Sequence, residues 1–167
     1  MNSSAWDKFR KQQAAEREQL RRLLTGMQPL LVKCRETAPN QIELSALAAL
    51  LHSFYTGVEN IFKRAVAELE HTPVRGEAWH RDLLRRMTQP QAARPALLPD
   101  DLHNTLVEYL RFRHVFRSAY AFDLQWDKMS GLVLNVETTL QRPEQALDAV
   151  LAGVPPNDGA ADAQTDA

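Results

Sequence analysis

A single cysteine, Cys34, stands in a chain of 167 residues, so no internal disulfide can form. A reducing compartment is the simplest expectation from that count. An excess of charge of one sign is also missing. Lysine and arginine number 20 against 21 aspartates and glutamates, a formal net charge of −1. That balance excludes a globally basic nucleic-acid binder and confines any RNA or DNA contact to a local patch. No apolar run approaches the roughly 20 residues needed to span a bilayer. The opening Met1-Asn2-Ser3-Ser4-Ala5-Trp6-Asp7-Lys8 leads into charged sequence, without the apolar core of a signal peptide. The expectation is a cytoplasmic protein with no membrane partner. Strand-like alternation of any length and internal repeats are absent as well.

What remains is ordinary globular composition, 44% hydrophobic and 25% charged, on a length that suits one domain with one core. Hydrophobic periodicity predicts helices throughout. The first runs from about Ser4, a plausible N-cap, to about Thr37, with a kink or break expected at Gly26 and Pro29. Its Lys8–Arg22 stretch alternates in sign, as a solvated or partner-facing surface does. The second, Gln41 to about Glu70, carries Leu44, Leu47, Leu51, Phe54, Val58, Ile61, Ala65 and Leu69 at steps of three and four. A third is predicted from Glu77 to about Gln89. The stretch from Pro90 to Pro99 then forms a boundary. Asp100 or Asp101 is expected to cap a fourth helix reaching about Phe122. A fifth starts near Asp127 and runs through Leu140, with a short helix restarting at Pro143 and Glu144 to about Leu151. Lysine and arginine stop at Arg142, and from Val154 onward the chain has no core-forming pattern. The reading is an all-α antiparallel bundle of four to five helices over residues 1–152, followed by a disordered tail over 153–167.

Because a bundle does not specify a function, the informative residues are those that break its pattern. With Arg113 as angular origin and about 100° per residue, Leu102, Leu106, Tyr109, Phe116 and Tyr120 all project within about 60° of it. Arg113 thus occupies the middle of the stripe that should face the core, and Arg117 lies about 40° away. An unpaired buried guanidinium is costly, so these arginines meet carboxylates, knit a dimer or line a polar cleft. Glu59 on the second helix is the candidate carboxylate. The run Arg111-Phe112-Arg113-His114-Val115-Phe116-Arg117 holds three arginines, one histidine and no acid. A shielded cationic site of that kind suits phosphate or a developing oxyanion, with Arg111 and Arg117 as further phosphate or RNA contacts. A histidine beside it suits proton transfer near neutral pH, although His114 taken alone reads as a surface residue.

The stretch from Tyr109 through Arg113-His114 to Ser118-Ala119-Tyr120 resembles the signature of the HEPN superfamily, and specifically of HepT-like ribonuclease toxins. Two further blocks are similar to a HepT-like subgroup: Leu51-His52-Ser53-Phe54-Tyr55-Thr56-Gly57-Val58-Glu59-Asn60-Ile61-Phe62-Lys63-Arg64 and Gly76-Glu77-Ala78-Trp79-His80-Arg81-Asp82-Leu83-Leu84. The likeness spans about residues 40–140. It implies a dimerising helical bundle whose motifs meet in a shared cleft and cleave RNA without metal or cofactor. The 2′-hydroxyl attacks the adjacent phosphate, a histidine moves protons and arginine stabilises the charged phosphorane. It also implies a nucleotidyltransferase antitoxin that adds AMP to the motif tyrosine, here Tyr120. One position departs from the signature: Ser118 stands where the family has its histidine, and serine does not replace imidazole in acid–base work near neutral pH. His114 and His80 are the candidates to compensate. Tyr55 and Glu59, one helical turn apart, are candidates to orient Arg113. The competing expectation is a catalytically inactive helical partner that dimerises and binds a nucleotidyltransferase or RNA.

Overall fold

The computed structural model describes residues 3–118, 120 and 123–154. Over these the chain is all-helical: α1 (Ser3–Lys33), α2 (Gln41–Ala65), α3 (Trp79–Met87), α4 (Asp100–Phe116) and α5 (Trp126–Ala152). A π-helical turn, Val66–Glu70, prolongs α2 and closes on His71, whose φ of 54° is left-handed. All eight periodic residues of α2 named above, from Leu44 to Leu69, are buried. A capping box opens the helix: the Asn40 side chain accepts from the Glu43 amide, and the Glu43 carboxylate accepts from the Asn40 amide, each at 2.9 Å.

Helix α2 is the hub, packing against every other helix. Side-chain pairs fix the direction of its neighbours. Lys8 and Gln12 near the start of α1 reach Glu68 beyond the end of α2, and Lys33 at the end of α1 reaches Glu43 at the start of α2, so the two run antiparallel. Likewise α1 and α5 oppose each other: Arg10 donates to the Leu151 and Val154 carbonyls, Arg17 holds Asp148 and Arg35 pairs with Glu137. Helix α4 runs against α5: Arg142 reaches Asp101 and Thr105 near the start of α4, while Tyr109 farther along meets the Leu132 carbonyl earlier in α5 and Thr139 Oγ1. The bundle is therefore antiparallel. Among the described residues no helix is long and apolar enough to cross a membrane.

Four local expectations change. Helix α1 runs unbroken through Gly26 and Pro29, and α5 through Pro143, with no restart. Proline in a helix interior forfeits one hydrogen bond at a cost of about 3 kcal/mol. Packing offsets it, because Leu24 and Leu31 flank Pro29, and Leu140 and Leu147 flank Pro143, all buried in the common core. The charged half of α1 is part of the bundle rather than a wholly solvated face: Gln13 and Arg17 lie in the buried stripe between Phe9 and Leu20. Arg17 grips Asp148 in bidentate fashion at 2.7 and 3.0 Å. Neither Asp100 nor Asp101 caps α4; Pro99 is the N-cap residue and both acids lie in the first turn, where they face the positive end of the helix dipole. Finally, α4 ends at Phe116 rather than near Phe122. Local bonds compete there with helix continuation. Ser118 Oγ donates to the Val115 carbonyl at 3.1 Å, the Tyr120 amide donates to Asp123 Oδ2 at 3.3 Å and the Asp123 amide to the Tyr120 carbonyl at 2.9 Å. Val154 is buried against the bundle, and the expected tail from residue 155 onward lies outside the described residues.

One glycine sets how closely α1 approaches the hub. A Cβ at Gly57 would stand 2.5 Å from Leu20 Cδ2 and 2.9 Å from its Cγ. The expected outcome for Gly57→Val is a loss of about 1–3 kcal/mol from overpacking, read as a lower midpoint in urea unfolding. Adding Leu20→Ala should recover part of that loss; strictly additive effects of the two changes would show that the helices do not meet there.

Candidate functional site

The cluster starts from a carboxylate that helix α2 cannot leave alone. Glu59 is 1% exposed, and an unpaired ionised carboxylate in such a place is strongly destabilising. Three elements bring it partners. From α4, Arg113 Nη1 donates to Glu59 Oε1 at 3.2 Å and to Oε2 at 3.3 Å. From α3, His80 Nδ1 lies 2.5 Å from Glu59 Oε2. From the next turn of α2, Lys63 Nζ stands 3.6 Å from Oε1.

The contacts decide how His80 is protonated. Its Nδ1 is also 3.0 Å from Arg113 Nη1, but a guanidinium can only donate. A bare Nδ1 lone pair 2.5 Å from a carboxylate oxygen would be repulsive, so Nδ1 carries hydrogen and donates to Glu59. Arg113 and His80 then share one acceptor. The Nε2 atom of His80 is left without a hydrogen-bond partner among the described residues. Carboxylate-oriented imidazoles of this kind are held in one tautomer and one ring pose.

Arg113 is only partly spent. Its side chain is 11% exposed, and its contacts with Glu59 and His80 all pass through Nη1. Its Nε is buried with no hydrogen-bond partner among the described residues. Beside it, the rings of His80 and His114 meet edge to face with centroids 5.6 Å apart. Burial first, then His80, Arg113 and Arg117, lower the pKa of His114, with Glu59 opposing. Both histidines line a cleft of about 360 Å³ together with Arg81, Arg111 and Glu77.

The other expected residues fall around this centre. Arg111 is exposed and pairs with Glu108 at 2.6 Å; Arg117 is exposed just past the end of α4. Tyr55 is fully buried one turn before Glu59, and its hydroxyl bonds to nothing among the described residues, Arg113 included. Burial, reinforced by Glu59, pushes its phenol well above the ordinary value. Ser118 is exposed beyond α4, its hydroxyl turned to the Val115 carbonyl. Tyr120 is 71% exposed.

Two residues escaped the sequence reading. His52 packs edge-on against Phe116, with ring centroids 5.7 Å apart. Burial, with Arg113 and Arg117, lowers its pKa. Its spacing of seven from Glu59, two helical turns, was the available signal. Lys63, four residues after Glu59, also sits 4.7 Å over the Trp79 ring, and Trp79 in turn stacks on His80 at 3.6 Å. Among the described residues no three metal-ligating side chains converge.

The comparisons with known proteins bear on this arrangement. A family model described as HepT-like protein matches residues 46–154, which takes in most of α2 and all of α3, α4 and α5 but leaves out α1. No curated protein and no solved structure matches the chain. The match covers well over half the sequence and contains every member of the Glu59, His80, Arg113 and His114 cluster, so the chain belongs to the HepT-like family of the HEPN superfamily, and that family points to a HEPN-type toxin–antitoxin component.

Proposed function

We propose that the protein is a HepT-like toxin acting in the cytoplasm as a metal-independent endoribonuclease, with Arg113, His80 and His114 at its centre. The observation that carries this reading is the pair of imidazoles in one cleft, one of them oriented by the carboxylate that also holds the arginine. Metal-free RNA cleavage needs a base for the 2′-hydroxyl, an acid for the leaving 5′-oxygen and a cation for the charge between them. His114, an exposed residue whose pKa is lowered by partial desolvation of its ring and by nearby cations, takes the 2′-hydroxyl proton as the 2′-oxygen bonds to phosphorus. The bond from phosphorus to the 5′-oxygen breaks, and His80, acting in its imidazolium form with Nδ1–H still on Glu59, delivers its Nε2 proton to that oxygen. The products are a 2′,3′-cyclic phosphate and a free 5′-hydroxyl. Unspent donors of Arg113 meet the phosphorane oxygens, with Arg111 and Arg117 contacting flanking phosphates. Glu59 orients, and Ser118 takes no proton. The functional unit is a homodimer, and the partner is a nucleotidyltransferase antitoxin that transfers AMP to Tyr120, whose exposure suits enzymatic access.

The position of Ser118 supports a second reading, a catalytically inactive partner that dimerises and binds the nucleotidyltransferase or RNA. Its hydroxyl is engaged by the Val115 carbonyl, and no imidazole stands at that point of the sequence.

Purified protein incubated with total RNA in EDTA separates the two readings. The expected result is cleavage leaving cyclic phosphate ends, reduced about 10²–10³-fold in Arg113→Lys, which keeps the charge but loses the planar fork. No cleavage by the native chain at high protein concentration, together with cleavage by Ser118→His, would instead establish a disarmed relative.

The lowered pKa of His114 fixes the sign of the pH dependence. A base must be neutral to act, so activity falls as pH drops through the folded-state value, which lies below the ordinary 6.5. The acidic limb of kcat/KM should accordingly lie below 6.5 and disappear in His114→Gln. A limb unchanged in that variant assigns the base elsewhere.

A further inference from the structure

A second cavity lies on the other side of Trp79. It measures about 420 Å³ and is lined by Val66, Ala67, Val74 and Leu83, with the indole of Trp79 as one wall and Lys63 as the charged group. Its shape comes from an irregularity in the backbone. Val66 and Ala67 belong to the π-helical turn that ends α2, and the left-handed residue His71 then turns the chain back so that Val74 closes the far side. π-turns are costly departures from the α-helix and recur at functional sites. This one builds a pocket wall from residues that a regular helix would space differently.

Position relative to the candidate site gives the pocket its meaning. Successive residues at the start of α3 line the two openings: Trp79 lines this pocket and His80 lines the cleft shared with His114. Lys63 links them, contacting both Glu59 and the Trp79 ring. With an imidazole stacked on it and an ammonium over it, the indole offers the pocket its edge. The remaining walls are aliphatic, and Lys63 is the lining side chain able to hydrogen-bond through a charged group. A flat, weakly polar group attached to an anion fits this description. Resting on the reading above, we propose that the pocket receives a nucleobase of single-stranded RNA, the nucleotide next to the one cut, with Lys63 meeting its phosphate. Apolar walls and the indole edge accept a base by shape and cannot read its hydrogen-bonding edge. The pocket therefore contributes affinity and a graded size preference, without a strict sequence code.

Ala67 is exposed on the π-turn, so Ala67→Leu fills the pocket from its solvent side and replaces none of the core residues or the members of the Glu59 cluster. The probe is a short fluorescent 2′-O-methyl RNA, which cannot be cleaved through its 2′-oxygen, compared with the same strand carrying one abasic nucleotide at successive positions. In the native protein, an abasic nucleotide at one position should weaken binding about tenfold. In Ala67→Leu, the intact and abasic strands should bind alike, both near the weaker level. Equal binding of the intact strand by native protein and Ala67→Leu overturns the proposal, as does native binding that no abasic position weakens. Catalysis is scored separately. An Ala67-sensitive base effect without RNA cleavage removes the ribonuclease reading and keeps the pocket. Cleavage whose base preference Ala67→Leu leaves unchanged removes the pocket and keeps the ribonuclease.

Discussion

A carboxylate almost wholly removed from water needs cations, and in this protein that need organises the centre of the molecule. Glu59 draws the cations Arg113 from α4 and Lys63 from its own helix, and the Nδ1–H donor of His80 from α3. Removing one partner from a buried charge cluster typically costs about 3–5 kcal/mol, because the remaining charge is stranded. The seating of α3 and α4 on α2 is thus tied to the same contacts that aim the histidine and the arginine. Fold stability and the arrangement of the cluster are one constraint, and neither can drift without the other.

A comparison within the molecule shows why this cluster reads as a site and another does not. Arg94 is as deeply placed a cation as the chain contains, with no exposed side-chain surface. Its donors are consumed: Nε by Glu70 at 2.7 Å, Nη1 by the Gln89 and Pro95 carbonyls, and Nη2 by the Arg86 carbonyl. Such a guanidinium fastens the loop after α3 to the end of α2 and has nothing left to offer a ligand. Arg113 differs in each respect. Its contacts fall on Nη1, none of them takes Nη2, and it touches His80, which lines an opening. Unspent donors beside a cleft are what anion recognition requires.

The sequence was most legible where one physical signal acted alone. The three-and-four spacing of α2 marked its core face residue by residue, and the guanidinium in the apolar stripe of α4 marked Arg113, with Glu59 as its carboxylate. Legibility failed where two signals opposed each other. Pro29 and Pro143 signal a break locally, while the buried leucines on either side keep the helix going. At the end of α4 no proline or glycine warns of termination; a serine hydroxyl and an aspartate capture backbone groups and stop it. The π-turn after Ala65 shifts the register over only five residues, too few to disturb a period. His52 and Lys63 were hidden because each looks like an ordinary helix-face polar residue until the neighbouring helices are in place.

Helix α1 lies outside the family match, yet it bears on the cluster from behind. Gly57 receives Leu20 of α1, and Gly57 and Glu59, two residues apart, project about 200° from each other on an ideal helix. One face of α2 is therefore pressed by α1 while the opposite face holds the charges. At its far end, α1 is bound to α5 through Arg10 and the Leu151 carbonyl, and through Arg17 and Asp148. A hub helix gripped from behind at that depth has little freedom to roll, and a roll of α2 is the motion that would separate Glu59 from Arg113 and His80 together. Helix α1 thus backs the element on which the cluster is built, and leaves the cleft between α3 and α4 open to whatever the cluster binds.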